Sequence, residues 1–385
     1  MGERLDRGLK VAGLALAAAG VALVMAGCSK MPGTVKIGVA QPLSGHEEAL
    51  GQDLLNGVMM AVKELNHAGF IVDGKRVNLE VVAFDDKADT ATGRTVAKQL
   101  VDAGVVGVIG HLNSRVSVAA APIYAAKGIP QLAVSTHPQF TQSGQTAFRL
   151  VANDALQARA MGAFAAAQLS ASGYAVLDNG TLYGVGLADG AAQVLAKENK
   201  SVKLRRSFDS LTTDFDGVAA DIKAANLTVI LAAMSDFQAM ALIQALKKVG
   251  HTQVTILGGD GIKTTAMAQY SGTVEAIYAT SPVLEAREFI TGRQFVEKYF
   301  DEFKTLPAYG GHYAYDATYV LTAAIKRAGS ADPKVITKTL HTLSGYAPVT
   351  GSMSWDAKGE QRYGAVGVYG LRGGVWEARM RSDRW

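Results

Sequence analysis

The strongest constraint in this sequence is a rhythm. Short apolar runs alternate with longer stretches of helical periodicity, and glycine closes one helix after another. The run VKIGVA (35–40) opens the body. Leu50, Leu54, Val58, Ala61, Val62 and Leu65 then fall on one helical face that ends at Gly69. Strand 76–84, a helix over 90–103, strand 105–109, a helix over 116–127 and strand 131–134 complete the first half, with Gly104 and Gly128 as stops. The rhythm restarts after residue 150. Helices are predicted over 155–171, 185–199, 215–225 and 237–249, and strands over 174–177, 202–208, 227–233, 253–259 and 274–280. Runs such as VVGVI are apolar on both faces, as strands covered by helices on both sides must be. Alternation of this kind specifies α/β architecture with parallel sheets, wound doubly and in two lobes.

Residues 287–341 read as mainly helical, with the tyrosines of 309–319 as lobe packing, and the segment 349–375 reads as β hairpins. No Pro/Ser-rich linker separates the halves, which argues for several chain crossings between lobes rather than beads on a string. Charge excludes some classes. Lys+Arg number 38 against 34 Asp+Glu, and no run of five like charges occurs, so no nucleic-acid footprint or polybasic tail is present.

Cys28 is the only cysteine, which excludes an intramolecular disulfide and a multi-cysteine zinc site. Its position carries information. Arg4, Arg7 and Lys10 precede an uncharged apolar run over 11–26, and small residues follow, the pattern of an export signal. Val24-Met25-Ala26-Gly27-Cys28 resembles a bacterial lipobox, with Met25 where Leu is commonest. That resemblance implies cleavage after residue 27 and acylation of Cys28, leaving a body tethered outside the cytoplasm, since more than one acyl chain anchors stably.

Enzyme signatures are weak. Gly184-Val185-Gly186 imitates a dinucleotide fingerprint without the third glycine in register, and no G-x-S-x-G elbow or zinc-type histidine spacing occurs. Asp85-Asp86 reads as loop hydrogen bonding rather than a metal pair. No metal and no cofactor are expected. The turns after buried strands are more informative, because ligands of open α/β sheets gather beyond the carboxyl ends of strands. Ser114 follows strand 105–109 and Ser135-Thr136 follow strand 131–134. Each is either a helix cap or a donor to an anion at a helix N-terminus. Asp260, between glycines in Gly258-Gly259-Asp260-Gly261, is either a solvated turn or an anchor for a cation.

The order of motifs resembles type I periplasmic solute-binding proteins, in particular the branched-chain amino acid (leucine/isoleucine/valine) binding proteins of ABC importers. The residues that carry it are VKIGVAQPLSG (35–45), VVGVIGHLNS (105–114), APIYAAKGIPQLAVS (121–135) and HPQFT (137–141). LYGVGLADG (182–190), ILGGDG (256–261), ATSP (279–282), YAYDATYVL (313–321) and GSMSWDAKGE (351–360) continue the series. The resemblance implies two lobes, 34–151 plus 282–347 and 152–281 plus 348–385. Crossings near 151–153, 281–283 and 347–350 would form the hinge. It implies that Ser114, Ser135 and Thr136 meet an amino acid's carboxylate end, that Asp260 binds its ammonium, and that Tyr183 covers it. It further implies a monomeric, non-enzymatic receptor that delivers its ligand to membrane permease subunits. An extracytoplasmic sensor would share the same fold and site. Departures fall at the side-chain pocket: Leu50 stands where an aromatic is common, Met234 and Ser235 where tyrosines are common, and Arg115 follows Ser114. The loop before His137 is also about three residues short of the family's usual length.

Overall fold

Burial on both faces turns the apolar runs into central strands. A computed structural model describes residues 31–142 and 144–384. The expected leader 1–27, Cys28 and Trp385 lie outside the described residues. The first sheet has five parallel strands in the order Asn78–Asp85, Thr34–Gln41, Gly107–Gly110, Gln131–Ala133, Ala147–Arg149. The second sheet has seven, in the order Val375–Arg381, Gly367–Arg372, Ala276–Ser281, Thr255–Gly258, Val229–Ala233, Tyr174–Asp178, Val202–Ser207. Its last five strands are parallel, and the first two form a hairpin laid antiparallel on Ala276–Ser281. In both sheets the earliest strand in the chain lies between the second and the third. Winding reverses there, which opens a crevice beyond the carboxyl ends of Thr34–Gln41 and Tyr174–Asp178.

The late helices return to the first sheet. Tyr313, Ala317 and Leu321 of helix Gly311–Ala328 share one core with Val35, Ile37 and Ile109, and with Leu54 and Val58 of helix Glu48–Ala68. The second sheet is covered on one face by Leu242 and Leu246 of helix Asp236–Lys248. On the other it is covered by Met161 of helix Asp154–Gln168 and Leu187 of helix Leu182–Lys197.

Three expectations need correction. The first sheet gains a fifth strand, Ala147–Arg149, which is three residues long and ends in a fully buried arginine rather than forming an apolar run. The C-terminal β structure consists of two hairpins, Gly345–Ala347 with Gly351–Met353 and Gly367–Arg372 with Val375–Arg381, so it extends beyond residue 375. Gly373 and Gly374 turn the second with φ of 56° and 82°, the left-handed pair that a two-residue hairpin loop requires. Tyr309 lies outside the tyrosine-rich helix, which starts at Gly311.

Candidate functional site

Asp260 opens a short 3-10 turn directly after strand Thr255–Gly258. Three donors reach its carboxylate. Tyr183 donates its hydroxyl to Oδ1 at 2.7 Å, Gln157 donates Nε2 to the same oxygen at 2.8 Å, and Tyr309 donates its hydroxyl to Oδ2 at 3.4 Å. Burial, and then the field of Asp260, hold both phenols well above the usual tyrosine range, so they stay protonated donors. Tyr183 sits in the first turn of its helix behind Thr181, whose hydroxyl caps the Gly184 amide at 3.0 Å. The approach depends on Gly259, because a Cβ there would stand 2.0 Å from the Tyr183 hydroxyl.

Tyr309 comes from the opposite body. Asp53, buried on helix Glu48–Ala68, accepts the Tyr309 amide at 2.9 Å and the Gly311 amide at 2.7 Å, fixing the segment that carries the ring. The Tyr309–Asp260 bond therefore joins the helices of the first sheet to the second sheet's carboxyl edge.

Beside Asp260 lies a second carboxylate. Asp154 is 3% exposed, and neither of its oxygens has a hydrogen-bond partner among the described residues. Burial pushes it up to about 7. Thr136 opposes that shift from close by, without reaching hydrogen-bonding geometry, and the Asp260 charge adds to it. Asp154 and Gln157 fall three apart in one helix, and so on one face. The Asn153 side chain starts that helix by accepting the Leu156 amide at 3.0 Å. Gln157 also donates to the Thr280 carbonyl at 3.0 Å, and its own Oε1 is buried without a donor among the described residues.

The first sheet contributes Ser114 and Thr136. Ser114 opens helix Ser114–Ala125, and its hydroxyl accepts the His137 amide at 3.3 Å. Behind it, fully buried His111 is gripped by Asp86 at 2.6 Å and Tyr124 at 3.2 Å, which fixes the turn leading to Ser114. Thr136 is buried, and its carbonyl accepts the Asp154 amide at 2.8 Å, which puts it against the acidic cluster. Ser135 is not grouped with them. Its hydroxyl is turned inward, bonded to Ser117 and to the His111 carbonyl.

Sequence reasoning missed Asp154, Gln157, Tyr309 and the anchor of the Thr136 turn. That anchor is Arg149, whose side chain is fully buried and bonds Glu360 twice at 3.0 Å, the His137 carbonyl at 3.1 Å and the Ser135 carbonyl. The available signal was two polar residues, Asp154 and Gln157, on the first turn of an otherwise alanine-rich helix.

Other positions resolve plainly. Arg115 is exposed and bonds the Ala88 carbonyl, and Asp85 ties its loop through Ser44 and the amides of Leu43 and Lys87. Met234 is buried in the second core, Ser235 starts helix Asp236–Lys248, and Leu50 is half-buried in the first turn of helix Glu48–Ala68. Two open surface depressions, one beside Asp216 and Lys248 and one beside Val101 and Pro333, hold no buried unpartnered polar side chain and do not adjoin Asp260.

The cluster collects acceptors: four carboxylate oxygens and an amide oxygen. The guanidinium whose field reaches Asp154, that of Arg149, is already committed to Glu360. Such a site suits a cationic group with several N–H donors.

The sequence pattern of the periplasmic binding protein family matches residues 34–374. The Leu/Ile/Val-binding protein homolog 2 of Brucella abortus is 31% identical over 329 residues, covering 85% of this chain and 87% of its own. A leucine-binding protein of Thermotoga maritima superposes with a TM-score of 0.79 at 26% identity, covering 91% of this chain and 100% of its own. A solute-binding protein of an ABC transporter from Rhodopseudomonas palustris, solved with 3,4-dihydroxybenzoic acid, shares the fold at a TM-score of 0.77 and 17% identity, covering 91% of this chain and 97% of its own.

Proposed function

The chain belongs to the periplasmic binding protein family, beside the Leu/Ile/Val-binding proteins, and from that premise we propose that it captures a free α-amino acid with an apolar side chain and delivers it to the permease of an ABC importer. The observation that carries the ligand class is the pairing of Asp260 with unpartnered Asp154. An α-ammonium supplies the N–H donors and the positive charge that this pair lacks. An aromatic acid such as the one bound by the Rhodopseudomonas protein has a carboxylate but no cation, and would leave buried Asp154 and half-buried Asp260 without a positive partner. In this reading Ser114 and the Thr136 turn take the ligand carboxylate, Asp260 and Asp154 take the ammonium, and Tyr183 covers the head group. Ser135 serves by holding the turn rather than by its hydroxyl. Arg115 is outside the pocket, so no second ligand carboxylate is expected.

The lobes are proposed as 34–151 plus 282–347 and 152–281 plus 348–385, except that the third crossing is placed after Glu360 rather than near 347–350, because Met353 and Trp355 lie in the first core and Glu360 pairs with Arg149. They close on the ligand because the closed state touches it from both sides. The role is that of a receptor, not an enzyme. Among the described residues no helix is long and apolar enough to cross a membrane, and the anchor is proposed to be lipid on Cys28. Thermal shift with the L-amino acids, benzoate and 3,4-dihydroxybenzoate tests the ligand class. A cognate amino acid at about 100 times its Kd adds about 2.7 kcal/mol of stability. Stabilisation by the aromatic acids and by no amino acid would overturn the reading.

A further inference from the structure

We propose that Asp154 is protonated in the empty receptor and releases that proton as the ligand's cation enters, so that capture is linked to proton release. The inference rests on the amino acid reading of the site and adds to it a regulation by pH. Its ground is geometric. Both Asp154 oxygens are enclosed with no donor among the described residues, and an ionised carboxylate in that setting is costly.

The groups that face it do not supply a positive charge. From the turn after strand Thr255–Gly258 comes Asp260, a like charge. Helix Leu182–Lys197 brings Tyr183, and the segment before helix Gly311–Ala328 brings Tyr309. Both are phenols held protonated. From the first sheet come the Thr136 hydroxyl, which is neutral, and Arg149, which is paired to Glu360 at 3.0 Å. The arginine and glutamate offset each other, and Asp260 remains. Burial with this surrounding lifts Asp154 to about 7, so near neutral pH the carboxyl is divided between its two forms.

Entry of an ammonium changes the balance. It brings one positive charge and three N–H donors between Asp154 and Asp260. The Asp154 O–H bond breaks, its proton leaves to bulk water, and the carboxylate accepts from the ligand. One positive charge enters and one leaves, so the site's net charge is unchanged.

The test is calorimetry with L-leucine and with its deamino analogue 4-methylpentanoate. Each is run in phosphate and in ACES, both of which titrate near neutral pH and whose ionisation heats differ, at pH 6, 7 and 8. The wild type should release nearly one proton per leucine at pH 6, about half at pH 7 and little at pH 8. The deamino acid should release none, and Asp154→Asn should remove the buffer dependence for leucine. Leucine binding whose heat is the same in both buffers at every pH would overturn the exchange.

A second readout needs no ligand. Asp154→Asn should melt above the wild type at pH 8, with the gap beginning to narrow as pH falls through about 7 and closing toward the ordinary carboxylate value of 3.8, because the amide mimics the protonated acid. A gap that ignores pH, or a variant less stable throughout, would also overturn the proposal. If the gap titrates but no amino acid binds, the ligand reading fails and the exchange fails with it, although Asp154 still holds a proton.

Discussion

Replacing Arg149 with methionine should be among the most damaging single changes in the first body, although the residue is not placed on the ligand. Methionine keeps an unbranched apolar stem and removes the guanidinium with its charge and donors. The wild-type guanidinium makes two bonds of 3.0 Å to Glu360 and one of 3.1 Å to the His137 carbonyl, holds the Ser135 carbonyl, and lies 5.6 Å from the centre of the Phe140 ring. Breaking a buried pair by removing one partner costs about 3–5 kcal/mol. Glu360 would keep the Asn153 amide at 3.0 Å and the Thr141 hydroxyl, so the lower end, about 3 kcal/mol, is expected. Urea unfolding of Arg149→Met, Glu360→Gln and the double variant measures this. The two sites should couple by about 2 kcal/mol, within the range for contacting residues.

The acid limb carries a further signature. Burial alone would raise the Glu360 carboxyl, but Arg149 outweighs burial and holds it below its ordinary 4.5. A lowered carboxylate gives stability that is full above its unfolded value and is lost as pH falls through the folded one. The gap between wild type and Arg149→Met should therefore shrink as pH drops below 4.5. A loss under about 1 kcal/mol, or additive single variants, would show that the network is not the anchor of the Thr136 turn.

Four further outcomes are expected. Asp260→Asn should weaken amino acid binding by about 2–5 kcal/mol in calorimetry, since it leaves the ammonium without its charged partner; a change within twofold would remove Asp260 from the site. Ser114→Ala should cost roughly 1.5–3 kcal/mol of binding, the value of a hydrogen bond to a charged group, with a smaller loss of stability from the His137 amide it leaves without its acceptor. Gly259→Ala places a Cβ 2.0 Å from the Tyr183 hydroxyl and should weaken binding about tenfold. Combining it with Tyr183→Phe should be no worse than either change alone, and additivity would speak against a shared cause. Cys28→Ser should shift the protein from the membrane to the soluble fraction while ligand binding survives; unchanged partitioning would rule out lipid on Cys28.

Most of the fold was legible because central parallel strands are unmixed apolar runs. VVGVIG and LTVILAA need no neighbour to be recognised, and glycine stops mark their helices. The fifth strand of the first sheet was not legible, because Ala147-Phe148-Arg149 is three residues long and ends in a charge. Its arginine is buried for the sake of a glutamate more than 200 residues away, a partnership that no local window contains. The same reason hid Asp154. Read locally, an Asp in a first helical turn is ordinary helix chemistry. Its importance comes from Asp260, which lies in another element, and from the absence of any donor to it among the described residues. Tyr309 was lost to periodicity: it precedes a tyrosine-rich helix, and only the capping of Gly311 by Asp53 separates it from that helix.

Four of the polar positions at the site have a buried polar group behind them. Ser114 is set by the Asp86–His111–Tyr124 chain, Thr136 by Arg149 and Glu360, and Tyr309 by Asp53. The turn before Tyr183 is set by Asp178, which accepts the Gly180 amide at 2.8 Å and pairs with Arg205. The first two supports meet at Ser135 and His137, whose carbonyls Arg149 holds while the Ser135 hydroxyl bonds the His111 carbonyl and the His137 amide bonds Ser114. Loss of either should therefore shift the Ser114 and Thr136 turns together, whereas the Asp53 and Asp178 supports act separately. They act on the groups proposed to read the ligand's head. The positions that depart from the resembled family, Leu50, Met234 and Ser235, belong to none of these supports. Met234 fills the second core and Ser235 starts a helix. Substitutions at these positions can therefore alter side-chain preference without touching the supports, while the proposed recognition of an α-ammonium rests on groups that the fold cannot release without uncovering buried polar partners.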